Sequence, residues 1–487
     1  MCVWCVRDDA AEMPVAGVET DSEPSDADQD IDALIAGVRW TAATLTFGFP
    51  ESPDAYGYGT ERATGFAPMT AAGRAAMRAA LADAAAVSGL VFEELGDDPG
   101  EDPGAATIRI ARTGATATGW AYYPSTAEAG GDIWLSADRA AWDRDGFDSP
   151  VMGRWGWFTL WHELGHALGL RHGHETDGPG AMTADHDGME FSVMTYRSHP
   201  GGGTGGYTNE PHGYAQGFMT RDIAALQRLY GPNYQTNAGD TVYRFSPQTG
   251  EMFVDGLGQG APGANRIFRT IWDGGGIDCY DLSDHADDLV IDLAPGAASD
   301  FSAGSHAQNA RLGSGVYARG HVWNALLFEG DRRALIENAR GGAGDDVISG
   351  NDAANDLRGN DGDDRIRGRG WHDRLDGGAG DDRLRGGGGD DVLIDGAGVD
   401  RLWGGAGADV FILVRDDSRD VIRDWQPGET IDLSAWDLPD ISALRIREHG
   451  PGKLVLTEAG GDERLAIISH DLPITAADIA DGVLIFA

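Results

Sequence analysis

From Gly341 to Ile412 the chain repeats itself every nine residues, eight times, without a phase slip. The template is G-G-x-G-x-D-x-U-x, with U apolar. Its sixth column reads Asp346, Asn355, Asp364, Asp373, Asp382, Asp391, Asp400 and Asp409. Its eighth reads Ile348, Leu357, Ile366, Leu375, Leu384, Leu393, Leu402 and Phe411. Six residues can turn, and three can form a short strand whose apolar residue points inward. Stacked in sequence, such units build a parallel β-roll. Successive turns would present aspartate oxygens and backbone carbonyls, the ligands that hard Ca²⁺ prefers. The segment holds 16 Asp, 8 Arg and 20 Gly. A flexible acidic linker could share that composition, but it would not keep the apolar column. Calcium ligands are therefore expected at Asp346, Asp364, Asp373, Asp382, Asp391, Asp400 and Asp409. Two repeats depart from the template, 350–358 with Ala353 and Asn355, and 368–376 with Arg369 and Trp371. Calcium is expected to be weak or absent where these contribute.

The second constraint is His162-Glu163-Leu164-Gly165-His166-Ala167-Leu168-Gly169-Leu170-Arg171-His172. Histidines four apart on a helix share one face. Gly169 lets the backbone leave the helix in a tight turn, which can return His172 as a third nitrogen ligand. Three imidazoles with one open position describe a catalytic rather than a structural zinc site, and Glu163 adjoins it as the candidate general base. The apolar run Trp155–Trp161 suits a buried helix. Downstream lies Ser192-Val-Met-Thr-Tyr196. Met194 can be an apolar floor for a metal or, read alone, core filler.

With 487 residues there is room for two or three domains. Net charge is −42, from 79 acids against 37 bases, which argues against nucleic acid and anionic membranes and invites cations. No apolar run approaches the roughly 20 residues of a membrane helix, and the N-terminus lacks the pattern of a signal peptide. Three cysteines, Cys2, Cys5 and Cys279, make no disulfide framework. Cys2-x-x-Cys5 has redox or half-zinc spacing without a supporting context; a masking thiolate on the zinc is one conceivable use.

Taken in order, residues 1–36 form an acidic tail, with ten acids and one Arg from Arg7 onward, and are expected to be disordered. Gly37–Phe49 reads as a first strand. Thr70 can cap a helix running to Ser88 with Met77, Leu81 and Ala84 on its apolar face. Strands are expected at Leu90–Glu94, Thr107–Ala111, Gly119–Pro124 and Gly131–Ser136. The histidine helix is expected over 150–170, and another over Thr220–Leu229, stopped at Tyr230-Gly231-Pro232. A domain boundary is placed near 235. Short strands and Gly/Asp turns follow, and residues 413–487 return to ordinary β composition.

Together these motifs resemble the metzincins and, within them, the serralysin-like peptidases. The resemblance implies an α+β metzincin catalytic domain at 37–235 and an all-β parallel β-roll domain at 236–487, with residues 1–36 in the place of a propeptide. It implies zinc on His162, His166 and His172, Glu163 as general base, and a methionine turn at Met194. Tyr196 becomes an additional, swinging ligand that also steadies the oxyanion. Gly119, Trp120, Ala121 and Tyr122 become the cleft-side strand that pairs with an extended substrate. The sequence Ile271–Asp278 looks like the family's lead-in to its roll, and Asp481-Gly-Val-Leu-Ile-Phe-Ala487 like its terminal signal for type I export. One departure is Gly173, where serralysins usually carry proline. The implied protein is a secreted, extracellular zinc endopeptidase acting on proteins or peptides, with Zn²⁺ and Ca²⁺ as cofactors and the type I export machinery as partner. A periplasmic inhibitor stays unknown. The alternative is an adhesive or surface-layer calcium-binding repeat protein whose protease domain is vestigial. A third reading, another metzincin group such as the astacins, does not account for the repeats.

Overall fold

The computed structural model describes residues 17–20, 28–96, 101–138, 146–450, 452–459, 464–469, 474–480 and 483–486. The architecture is mixed α/β, with long sheets built largely from parallel strands. Cys2 and Cys5 lie outside the described residues, as does part of the terminal segment 481–487.

The N-terminal half is organised on a five-stranded sheet. Its order is Val91–Leu95, Thr44–Gly48, Ile108–Thr113, Ile133–Ser136 and Gly119–Ala121. The first four run parallel, and the last is antiparallel at the edge. Thr70 caps the helix Ala71–Val87 through its hydroxyl, which accepts the Gly73 N–H at 3.0 Å. The buried face of this helix is Ala76, Met77, Ala80, Leu81, Ala84 and Val87, set against the histidine helix and Thr220–Tyr230.

The histidine helix is shorter than expected, spanning Trp155–Ala167. Gly153, at φ +83°, turns the backbone just before it. At its other end Gly169 adopts φ +95°. Gly169 N–H then donates to His166 C=O (3.0 Å) and Leu170 N–H to Gly165 C=O (2.8 Å). This is the Schellman arrangement, and it satisfies two carbonyls the helix would leave open. A Cβ at residue 169 would lie 2.4 Å from the Val38 carbonyl oxygen, so only glycine fits.

Residues 28–36 differ from the expected disordered tail. They include a helical turn, Gln29–Asp32, and Ala33, Leu34 and Ile35 are buried. Leu34 C=O accepts from Arg171 N–H (2.8 Å), and Ala36 N–H donates to Gly169 C=O (2.9 Å). The acids that made this stretch look disordered each have a partner. Asp28 pairs with Arg221, Asp32 with Arg228, and Asp30 accepts from Thr183 and His186. Composition alone did not reveal those cations and donors, which lie some 150 residues or more away in sequence.

Packing is continuous through residue 235. Phe268, Trp272, Leu312 and Trp323 join the N-terminal core, and Gln216 N–H donates to Phe268 C=O. Beyond lies the roll, with two sheets, of eleven and nine strands. Strands Asp356–Asp361, Arg374–Ala379, Val392–Ala397 and Val410–Ile412 occupy one sheet. Val347–Ser349, Arg365–Gly370, Arg383–Gly388 and Arg401–Ala406 occupy the other. Within the repeats, each strand pairs in parallel with the one 18 residues on, for example Leu357 with Leu375 and Ile366 with Leu384. Two nonapeptides therefore make one turn. All eight apolar-column residues are at most 1 % exposed and share one core.

Candidate metal sites

On the helix Trp155–Ala167, His162 and His166 point from one buried face, and the Gly169 turn brings His172 to meet them. Each ring is held through Nδ1. His162 Nδ1 lies 2.8 Å from Val193 C=O, His166 Nδ1 2.8 Å from Leu170 C=O, and His172 Nδ1 2.8 Å from Glu175 Oε1. All three partners are acceptors, so each Nδ1 carries the proton and each Nε2 presents a lone pair. The Nε2 atoms converge: His166 to His172 is 3.1 Å, and His172 to His162 is 3.3 Å. With all three ring protons at Nδ1, these contacts are not hydrogen bonds. Burial holds all three imidazoles neutral, with His162 lowered to about 4 and His166 and His172 well below the usual histidine range; neighbouring histidines add to the last two shifts. A tetrahedral ion with nitrogen ligands at about 2.0–2.1 Å sets those nitrogens about 3.3 Å apart. The three histidines fit zinc, and their fixed second nitrogens are what a metal site requires.

The surroundings follow from the sequence. Met194 is fully buried beneath the helix, and a Cβ at Gly165 would sit 2.5 Å from its sulfur, so the glycine inside the motif makes room for the methionine. Tyr196 lies against the cluster, its ring 4.4 Å from His172 and 5.9 Å from His162 between centroids. His174 stacks beside them, 4.7 Å from Tyr196. Glu163 is buried, and the edge strand passes directly over it: a Cβ on Gly119 would meet Glu163 Oε1 at 3.0 Å. The side chains of Trp120, Ala121 and Tyr122 are buried, Tyr122 donating to Glu61 at 3.0 Å. The strand Gly119–Ala121 thus lies at the edge of its sheet with its side chains turned into the protein.

Two residues of consequence were not singled out in the sequence. Glu175 is the carboxylate that orients His172 and also bonds Arg171 Nε at 3.0 Å. Its offset of three from His172 was the available signal. Asp222 anchors the Met194 turn. It accepts from Ser192 Oγ (2.6 Å), Val193 N–H (2.7 Å) and Met219 N–H (2.9 Å), and burial raises its carboxyl to about 7. Its signal was weaker, an acid in the first turn of a helix 28 residues beyond the methionine. Asp222→Ala would strand two buried N–H groups, at about 1–3 kcal/mol each. The expected outcome is a loss of about 3 kcal/mol in urea unfolding, and weaker zinc retention in a chelator competition.

In the roll, the sixth-column residues form two ladders. Backbone N–H of Asp346, Asp364 and Asp382 donates to Oδ1 of the residue 18 further on, at 2.7–2.8 Å. The ladder through Asn355, Asp373 and Asp391 to Asp409 repeats this at 2.8–2.9 Å. The second oxygen, Oδ2, of Asp364, Asp373, Asp382, Asp391, Asp400 and Asp409 is buried without a partner. Such atoms are costly unless an ion meets them. Asp346 and Asn355 differ. Asp346 Oδ2 accepts from Gly342 N–H (2.7 Å), and Asn355 Nδ2 donates to Glu337 C=O (2.7 Å). Arg369 and Trp371 keep the left-handed dihedrals of the glycines they replace (φ +92° and +74°), and His372 Nδ1 accepts the N–H that aspartates accept in neighbouring turns.

Comparison with known proteins bears on both regions. Residues 232–326 match the C-terminal family of M10 serralysin peptidases, and 340–375 and 376–411 match the RTX calcium-binding nonapeptide repeat. The likeness is to the serralysins. Metallopeptidase AprA of Pseudomonas marginalis is 35 % identical over 246 residues, 49 % of this chain and 46 % of that protein. Serralysin A of Dickeya chrysanthemi is 34 % identical over 232 residues, 47 % and 42 %. Serralysin of Proteus mirabilis is 32 % identical over 247, 49 % and 44 %. The serralysin-like chain thus spans somewhat under half the length of these relatives.

Proposed function

We propose that this chain is a secreted, zinc-dependent endopeptidase of the serralysin type, with a metzincin catalytic unit at about 37–235 and a calcium-loaded roll behind it. The observation that carries the reading is the convergence of three proton-free Nε2 atoms beside the buried carboxylate of Glu163, which adjoins His162 on the same helix. His162, His166 and His172 would hold the metal. Zinc bound there supplies Lewis acidity toward a scissile carbonyl and toward the attacking water. Glu163 takes the proton of that water and returns it to the leaving amine. Gly119–Tyr122, as an edge strand, aligns an extended peptide by backbone hydrogen bonds, leaving side-chain preference to other walls of the cleft. Tyr196 donates its hydroxyl to the developing oxyanion. Asp346 through Asp409, Asn355 aside, serve as the calcium side. Export by a type I machinery and an extracellular site of action follow the same likeness.

A vestigial site would be free to lose any one of these groups, and the sequence keeps them all. The test is digestion of casein by the calcium-loaded protein. Cleavage should stop with a zinc-selective chelator and return on adding zinc. Chelator-insensitive cleavage, or no cleavage by the zinc-loaded protein, would reject the reading.

A further inference from the structure

One turn of the roll breaks a rule the others keep. In seven repeats the first position is glycine, at 341, 350, 359, 368, 377, 386 and 404. In each, a Cβ there would fall within 1.9–2.3 Å of a side-chain oxygen of the same repeat's sixth residue. Glycine is a steric requirement of the turn. The repeat 395–403 nevertheless begins with Asp395. Its side chain is wholly buried and joins Asp400 and Asp420, also buried, in a cluster whose ligand atoms all lie within 4.8 Å.

The oxygens of this cluster divide into satisfied and unsatisfied ones. Asp395 Oδ1 accepts from Gly396 N–H (2.7 Å) and Val414 N–H (2.8 Å). Asp400 Oδ1 accepts from Asp382 N–H (2.7 Å). Asp420 Oδ1 accepts from Asp400 N–H (3.0 Å), and its Oδ2 from Ser418 Oγ (2.8 Å). Asp395 Oδ2 and Asp400 Oδ2 are buried with no partner. Among the described residues, no arginine or histidine pairs with any of these three carboxylates. Three ionised carboxylates this close repel one another, and a cation between them would relieve that repulsion.

We propose that Asp395, Asp400 and Asp420 form a three-carboxylate calcium site at the C-terminal end of one ladder, and that it is the tightest calcium site of the roll. The inference rests on the calcium reading of the repeats but not on the peptidase reading. The ladder positions upstream bring one carboxylate per turn, 18 residues apart. Here the same turn supplies two and the next a third, and calcium affinity rises with ligand charge. The insertion that sets Asp420 20 residues after Asp400, rather than 18, still leaves the N–H of Asp400 bonded to it. The ladder is thus continued into a closed end.

The test is a calcium titration of the full-length protein against a fluorescent chelator, with bound ions counted. Asp395→Gly restores the residue every other repeat carries, so the roll should keep its wild-type circular dichroism in millimolar calcium. Asp395→Asn is the second variant, retaining the oxygen that accepts from Gly396 and Val414. Both should lose the tightest ion, or bind it at least about tenfold more weakly, with the remaining ions unchanged. Wild-type count and wild-type tightest affinity in both variants would overturn the proposal. If the wild-type chain bound no calcium at all, the reading of the repeats would fail instead, and this site with it.

Discussion

Stripped of calcium at about pH 8, residues 341–412 should exchange their amide hydrogens at close to unfolded rates, and the far-UV β signal of the chain should drop steeply. Each strand of the roll contributes one buried apolar side chain against nine residues to be ordered, at about 1–2 kcal/mol of backbone entropy per residue. Seven aspartates of the repeats, Asp395 among them, keep a buried oxygen without a hydrogen-bond partner. Calcium binds only the folded arrangement, so folding is tied to its concentration. Without the ion, protons are the substitute. Burial, with help from neighbouring aspartates, raises Asp364 and Asp400 to about 8, Asp373 and Asp382 to about 7, and Asp391 and Asp420 to about 6. An unfolded aspartate titrates near about 3.9. The ion-free roll thus gains protons on folding. Their contribution to its stability is complete below about pH 4 and is lost as pH rises through about 6–8. Protection lost to chelator at about pH 8 should return partly at about pH 5. Full protection in excess chelator at about pH 8 would refute the calcium linkage, and no acid recovery would refute the assignment of the raised carboxyls.

Glu163→Ala should retain zinc at wild-type stoichiometry and lose casein hydrolysis by several powers of ten, since it removes the group proposed to move the proton. The cavity it leaves lies under Gly119, so the edge strand has no new side chain to accommodate. Folding, followed by thermal unfolding of the calcium-loaded protein, should be little changed. Turnover near that of the wild type would show that another group is the base.

The motif spacing carried most of the histidine cluster. His162, His166 and His172 could be placed on one ion because helical periodicity and a single left-handed glycine fix their relative positions. The regular roll was legible for a similar reason, since a nine-residue period is a local code repeated eight times. The alternation between two sheets was not foreseen, because a repeat shows which residue points inward but not which sheet it joins. Contacts between distant segments also stayed hidden. Asp222 reaches Val193, and Asp30 reaches Thr183, across intervals that carry no pattern. Asp28, Asp30 and Asp32 looked like tail residues because their partners come from other parts of the chain. Asp395 was not among the departures read from the template, because its meaning depended on knowing what glycine at that position avoids.

The alternation of nonapeptides between two faces gives the roll a parity. Gaining or losing a single repeat would carry every later strand across to the opposite sheet and set each acidic column out of step with its ladder. Gaining or losing two would leave every partner where it was. Such an array lengthens or shortens without penalty only by even numbers, and eighteen residues, not nine, is its heritable unit of length.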